Sequence, residues 1–186
     1  MKSRHIVISK FLSRVLRHKP KLIGITLDDA GWIGVDELLR AMEAAGKPLS
    51  LEDLKAVVRT NDKQRFAFNE DETKIRANQG HSIKTIDLGL TPQAPPAILY
   101  HGTVAKYLES IKRQGLQKRS RQHVHLSPDI ETATRVGSRR GTPILLEIDA
   151  AHMHADGYAF YLSANGVWLT DHVPPQFISA LNHDHA

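Results

Sequence analysis

The stretch FLSRVLRHKP, residues 11–20, sets Phe11, Leu12, Val15 and Leu16 on one helical stripe. Arg14, Arg17 and His18 lie off that stripe, just ahead of the helix-stopping Pro20. Cations in a last helical turn interact favourably with the macrodipole, by roughly 0.3–1 kcal/mol each, and that alone accounts for an Arg-His pair. The pair acquires chemistry only where other segments bring matching groups to it. Two later segments carry such groups. In YHGT, residues 100–103, Gly102 lets backbone amides approach a ligand, Thr103 offers a hydroxyl, and His101 can donate to or accept from a ribose. A histidine at a strand end also serves structure alone. In RQHVHLS, residues 121–127, Arg121, His123 and His125 alternate and would share one strand face. Ser127 then stands at a helix N-terminus, where backbone amides favour a phosphate. The competing reading is a metal site from His123, His125 and a carboxylate, but no HExxH and no clear third ligand accompany them. The terminal NHDHA also bears histidines, at a chain end expected to be disordered.

The bulk numbers restrict what these groups can be part of. The 186 residues suffice for one large domain or two small ones. Hydrophobic residues at 41% and charged residues at 24% are ordinary for a soluble globular protein. No apolar run is long enough to span a membrane, and MKSRHIVISK lacks the apolar core of a secretion signal. The absence of cysteine excludes disulfides, thiolate nucleophiles and cysteine-based zinc sites, and it suits a reducing cytoplasm. A net charge of +5 is compatible with an anionic partner. Two basic sets stand out: KRQGLQKRSR, residues 112–121, with five cations and no acid, and Lys63, Arg65, Lys74 and Arg76. Such runs are commonly solvated faces.

The elements that must position these residues fall into two lobes. TPQAPPA, residues 91–97, carries three prolines without periodicity and reads as a linker. Before it, DELLRAMEAAG reads as a helix capped by Asp36, with Gly46 at C′. SLEDLKAVVRT reads as a helix with a capping box from Ser50 to Asp53. RFAFNEDETKIRA reads as a hairpin burying Phe66, Phe68, Ile75 and Ala77, and GWIGV can add a short third strand. Arg65 would then point away from the core, with Lys74 and Arg76 in its neighbourhood. Three helices followed by a hairpin is the order of a winged helix. After the linker, strands (AILYHGT, HVHLS, TPILLEIDA, GVWLT) alternate with helices (VAKYLESIKRQG, and PDIETATRVG opened by Pro128 after a capping Ser127). This is a mixed α/β lobe without a GxGxxG or a Walker-type loop.

Taken in order, LRHKP, DKQRF, LYHGT, RQHVHLS and NGVWLT resemble the RNA 2′-phosphotransferases, also called tRNA 2′-phosphotransferases. The resemblance extends from about residue 9 to residue 178. Each motif alone is weak, and five in order at compatible separations are strong. The resemblance implies an α+β architecture with a winged-helix RNA-binding lobe over 1–90, a linker over 91–97 and an ADP-ribosyltransferase-like NAD-binding lobe over 98–186.

It also implies a reaction. An internal RNA 2′-phosphate attacks the anomeric carbon of the nicotinamide ribose of NAD⁺ and expels nicotinamide. The ribose 2″-hydroxyl then attacks that phosphate, giving RNA with a free 2′-hydroxyl and ADP-ribose 1″,2″-cyclic phosphate. By resemblance, Arg17, His18, Arg65 and Arg121 form the catalytic tetrad. These residue types suit the chemistry, since a phosphate dianion asks for planar, bidentate, permanently charged donors. His18 can donate to the phosphate or carry a proton near neutral pH. Neither Arg17 nor His18 belongs to the apolar stripe, so the pair should cost the fold little. The resemblance puts His101, Gly102 and Thr103 on the NAD⁺ ribose side, with Ser127 close, His125 in the second-strand position of the transferase signature and Val167 as an apolar third element. Arg135, Arg139 and Arg140 are equally readable as contacts to nucleotide phosphates or as a solvated helix end. No metal is implied. RNA carrying a 2′-phosphate, tRNA among the candidates, is the expected partner of a monomer that uses no membrane.

Two other readings keep part of this pattern. The same fold could ADP-ribosylate a terminal phosphate of RNA or DNA. A winged-helix DNA-binding regulator with a ligand-sensing second lobe would explain the first lobe and the charge. It would leave Arg17, Arg65 and Arg121 without a common purpose, and SLEDLKAVVRT is poor in base-reading side chains.

Overall fold

The computed structural model describes residues 2–61 and 63–181. The NHDHA tail, residues 182–186, lies outside the described residues. The chain divides into two compact units of mixed α/β structure, residues 1–89 and 90–186.

Unit 1 is built of α1 (Lys2–Arg17), β1 (Ile33–Gly34), α2 (Val35–Ala44), α3 (Leu51–Arg59), β2 (Phe66–Phe68) and β3 (Lys74–Ala77). The stripe of α1 goes inward as its spacing predicts: Leu12, Val15 and Leu16 are fully buried, joined by Leu38 of α2, Leu54 of α3 and Ile75 of β3. Removing such side chains from water stabilises by roughly 1.5–3 kcal/mol each, which is what holds three short helices on a three-stranded sheet. The helix stops at Arg17, and Pro20 opens a 3₁₀ turn over Pro20–Ile23. The capping box of α3 is present, with Ser50 Oγ accepting from the Asp53 amide at 3.1 Å. Gly46 follows α2 with φ +68°, a left-handed conformation that suits a residue without a Cβ. Asp36, expected to cap α2, sits instead in its first turn. The N-cap is Gly34, because residues 33–34 pair as β1 with Ile75 and Lys74 and so fix the entry of the chain. The hairpin pairs Phe66 with Ala77 and Phe68 with Ile75.

Unit 2 contains β4 (Ile98–Thr103), α4 (Ala105–Gln114), β5 (Leu116–Gln117), β6 (Val124–Leu126), α5 (Ile130–Gly137), β7 (Ile144–Asp149), α6 (Ala150–Ala155), β8 (Tyr161–Leu162), β9 (Trp168–Thr170), β10 (His172–Val173) and β11 (Ile178–Ala180). They form small antiparallel sheets in the orders β11-β7-β4, β6-β9-β8 and β10-β5. Leu99, Ile148, Leu126 and Phe160 are buried in one core. Tyr100 and Ser127 exchange both backbone hydrogen bonds at 2.8 Å, which ties the β4 sheet to the end of β6. The 91–97 segment, expected to be a linker, is bonded into this unit: the Gln93 amide donates to the Phe160 carbonyl at 2.8 Å and Pro92 bridges Tyr161. Prolines lack a donor but keep their carbonyls, so a proline-rich strand edge can pair without looking periodic.

Candidate active site

In unit 1 the hairpin and the end of α1 bring Arg17, His18 and Arg65 together. Arg17 is only 7% exposed, and its Nη2 donates to the Arg65 carbonyl at 3.4 Å. That corrects the expectation of an inexpensive helix-end cation. A buried guanidinium loses hydration and must recover it from hydrogen bonds or from an anion. Arg65 follows Gln64, which has φ +40°, a conformation costly for a side-chain-bearing residue. Asn78 holds it there: its Nδ2 donates to the Gln64 carbonyl and its backbone amide to the Arg65 carbonyl. The Arg65 guanidinium in turn donates through Nη1 to Ser9 Oγ at 3.2 Å and to Asn61 Oδ1 at 3.4 Å. Asn61 Nδ2 donates to the same serine oxygen at 2.8 Å. Both of these acceptors are neutral oxygens, and they fix the direction of the guanidinium.

His18 lies with its Nδ1 3.0 Å from Ser82 Oγ, and the Ser82 amide donates to the Arg17 carbonyl at 3.0 Å. Beside Ser82, His81 is fully buried, with neither ring nitrogen hydrogen-bonded. Burial first, and then the charges of Arg17, His18 and Arg76, push it down to about 4, so it is neutral at pH 7. The Arg76 guanidinium lies over the Trp32 ring at 4.5 Å and Lys74 reaches Asp28 at 3.8 Å, because both side chains leave β3 toward the Asp28–Trp32 turn beside β1.

In unit 2 the strand register does the positioning. His101 and Thr103 leave the same face of β4, and Thr103 is buried. His101 Nδ1 donates to the His125 carbonyl at 3.0 Å, since a carbonyl can only accept. Its Nε2 is therefore a hydrogen-bond acceptor in the neutral ring. Burial holds His101 below the usual histidine value, which keeps that form at neutral pH. Gly102 is required by packing. A Cβ there would lie 2.0 Å from the Ala133 carbonyl oxygen, so α5 fills the space that sequence reasoning reserved for a ligand.

Two placements differ from expectation. Neither Arg121 nor His123 is on the strand that carries His125. β6 begins at Val124, and Arg121 closes a turn by donating its amide to the Lys118 carbonyl at 3.0 Å. Ser127 does not cap α5: Asp129 does, its carboxylate accepting from the Thr132 amide at 2.7 Å. A carboxylate is the stronger acceptor for a helix N-terminus, and the Ser127 backbone is already used in the bridge to Tyr100. A phosphate on that helix end would have to displace an anion. Val167 is half-buried, with its carbonyl and amide bonded to the Ser163 turn that leads into β9.

Arg140 separates itself from its two neighbours. Its charge is felt by both His101 and Arg121, in each case after desolvation, while Arg135 donates to Thr132 on the exposed side of α5 at 3.4 Å. Among the described residues no group of three or more His, Asp or Glu is placed to hold a metal ion. None of their helices is long and apolar enough to cross a membrane.

A sequence profile of the RNA 2′-phosphotransferase, Tpt1 / KptA family matches residues 3–172. This chain belongs to that family. The family relatives are close throughout their length. A protein of Rhodopirellula baltica named "Probable RNA 2′-phosphotransferase" is 58% identical over 171 residues, 92% of this chain and 93% of its own. Proteins of the same printed name from Flavobacterium johnsoniae and Streptomyces coelicolor are 57% and 54% identical, each over at least 92% of this chain. Within this family member, Ser9, Asn61, Asn78 and Ser82 are the residues that sequence reasoning passed over. A polar Ser9 in register with Leu12 and Leu16 on a core stripe was the available signal for the first, and it is 6% exposed.

Proposed function

We propose that this chain removes an internal 2′-phosphate from RNA, with NAD⁺ consumed as co-substrate. The observation that carries the reading is the convergence of Arg17, His18 and Arg65 in unit 1, from segments 48 residues apart, with the neutral groups of Ser9, Asn61 and Ser82 as supports. A doubly charged phosphate is the ligand that such a group favours most. Unit 1, with three helices and a β1-β3-β2 sheet, is assigned as a winged helix, and unit 2 as an ADP-ribosyltransferase-type lobe.

The residues of unit 2 fit a ribose in part. His101 Nε2 can accept from a ribose hydroxyl and Thr103 can donate one hydrogen bond, whereas Gly102 serves packing; the bridge to Tyr100 takes up the Ser127 backbone and not its hydroxyl. Arg140 and Arg121 are the cations suited to the phosphates of the co-substrate and of the RNA. In the proposed sequence, Arg17 and Arg65 hold the RNA 2′-phosphate as it forms a bond to the anomeric carbon, and nicotinamide leaves with the bonding electron pair. The ribose 2″-hydroxyl then forms a bond to phosphorus and loses its proton, and the RNA 2′-oxygen leaves and takes one up. His18 is the group suited to proton transfer there. Arg121 meets the charge that builds on the phosphoryl oxygens. The products are 2′-hydroxyl RNA, ADP-ribose 1″,2″-cyclic phosphate and nicotinamide.

The test is incubation of the protein with NAD⁺ and an oligoribonucleotide bearing one internal 2′-phosphate, followed by mass analysis. Equal release of nicotinamide and loss of phosphate is expected, with EDTA present. Phosphate loss without NAD⁺, or its abolition by EDTA, sinks the reading.

A further inference from the structure

His101 and His18 are each held through Nδ1, by different kinds of partner. His101 faces a carbonyl, which only accepts, so its Nδ1 must carry the proton. His18 faces the hydroxyl of Ser82, which both donates and accepts. A hydroxyl can give its hydrogen to the lone pair of Nδ1 in the neutral ring, and it can accept from Nδ1–H in the imidazolium. Nε2 carries a hydrogen in both cases. With a carbonyl in place of Ser82, the neutral ring would have to turn Nε2 into an acceptor, which repels a phosphate oxygen.

We infer that Ser82 is a positioning residue for His18, a hydroxyl swivel that keeps Nε2–H as a hydrogen-bond donor toward a phosphate in both charge states of the ring. The inference rests on the proposed phosphate chemistry of this site. Three further observations support it. The Ser82 amide is bonded to the Arg17 carbonyl, so the serine is anchored to the residue adjacent to the one it orients. His81, the preceding residue, is fully buried and packs close to Gly31, where an added Cβ would lie 3.3 Å from its Nε2, so the segment has little room to shift. The hydrogen bond spans 64 positions of sequence, so it reflects the fold of unit 1 and not a local turn.

The test uses the full chain with ¹⁵N-labelled histidine. In the wild type, the neutral His18 ring should show the pattern of a protonated Nε2 and a bare Nδ1. A protonated Nδ1 in the neutral ring overturns the inference. Ser82→Ala keeps the backbone bond to Arg17 and removes only the hydroxyl. It should shift the His18 Nδ1 resonance and lower the single-turnover rate on 2′-phosphorylated RNA about tenfold, the worth of one net hydrogen bond. The KM for NAD⁺ should stay unchanged. Ser82→Thr, which restores a hydroxyl, should recover most of the rate and the wild-type nitrogen shifts. Equal rates in the wild type and Ser82→Ala, or equal rates in the Ala and Thr variants, overturn the inference. If the wild type does not act on the RNA at all, the proposed function fails, and the nitrogen shifts still decide whether Ser82 sets the tautomer.

Discussion

Unit 1 gathers its chemistry-bearing side chains from segments 48 to 64 residues apart, through side-chain bonds to Ser9, Asn61 and Ser82. Unit 2 places His101 and His125 on strands β4 and β6, where the backbone ladder positions them and His101 Nδ1 bonds to the His125 carbonyl. The difference is one of what does the positioning. A ladder positions every residue on it at once and tolerates a change in any one side chain. A side-chain network has no such redundancy, and each member removed releases the next. The unit 1 arginines should therefore be sensitive to their neutral neighbours, and the unit 2 residues to the backbone that carries them.

The largest effect expected is loss of the arginines themselves. Arg65→Ala and Arg121→Ala should each slow 2′-phosphate removal about 10²–10³-fold in single turnover. Under the proposed division of labour, Arg121→Ala accumulates ADP-ribosylated RNA and Arg65→Ala does not. Slow substrate loss with no intermediate in Arg121→Ala would move that residue to positioning of the nucleophile.

A backbone-centred unit 2 is tested by Gly102→Ala, which adds one methyl against main chain. With no side chain to move aside, a loss of about 2–3 kcal/mol in unfolding free energy is expected, read by urea titration. A variant as stable as the wild type would show that α5 can retreat from β4, and the contrast between the units would weaken.

His81 tests the interior of unit 1. Its folded value is about 4 and its unfolded value about 6.5, so the unfolded chain binds the extra proton between them. Stability should fall as pH drops through that window, by about 2 kcal/mol from pH 7 to pH 4.5, with no contribution from this group above pH 7. His81→Phe should flatten that part of the profile. An unaltered slope in the variant would assign the acid sensitivity to other groups.

Asn61→Ala is expected to slow turnover about tenfold, by loosening Arg65, and to add almost nothing in an Arg65→Ala background. Full additivity would break the network. The smallest effect belongs to Lys118, in the basic run over residues 112–121. It pairs with Asp171 at 2.8 Å on an exposed surface, so Lys118→Ala should change stability by less than about 0.5 kcal/mol. A salt dependence of RNA affinity that is also unchanged would remove Lys118 from the RNA contacts.

The same contrast decides what was legible in the sequence. Period-3.6 and period-2 patterns carried the α1 stripe, the 66–77 hairpin and the β1 strand, since burial of Leu12, Val15, Leu16 and Ile75 is what those patterns encode. The cap of α3 was legible because Ser50 and Asp53 are three residues apart. The supports of the site were not, because Ser82 and Ser9 become partners of His18 and Arg65 only through the fold. Local competition explains the other misses. Asp129 displaced Ser127 as the cap of α5, and β1 pairing displaced Asp36 as the cap of α2. Arg121 fell one turn short of its strand, because alternation of residue types does not say where a ladder begins.

The contact between Gly102 and α5 also bears on how this molecule can vary. An added Cβ at Gly102 meets the Ala133 carbonyl, and one at Gly137 would lie 3.2 Å from the Gly102 α-carbon and 3.1 Å from Pro143. The crowding at Gly102 is against main chain alone, whereas that at Gly137 is milder and includes the Pro143 side chain. A change at Gly137 cannot relieve a Cβ at Gly102, whose obstacle is the Ala133 carbonyl. Diversification of this unit should run through residues that face away from the seam, and the spacing between β4 and α5 should be inherited as a unit.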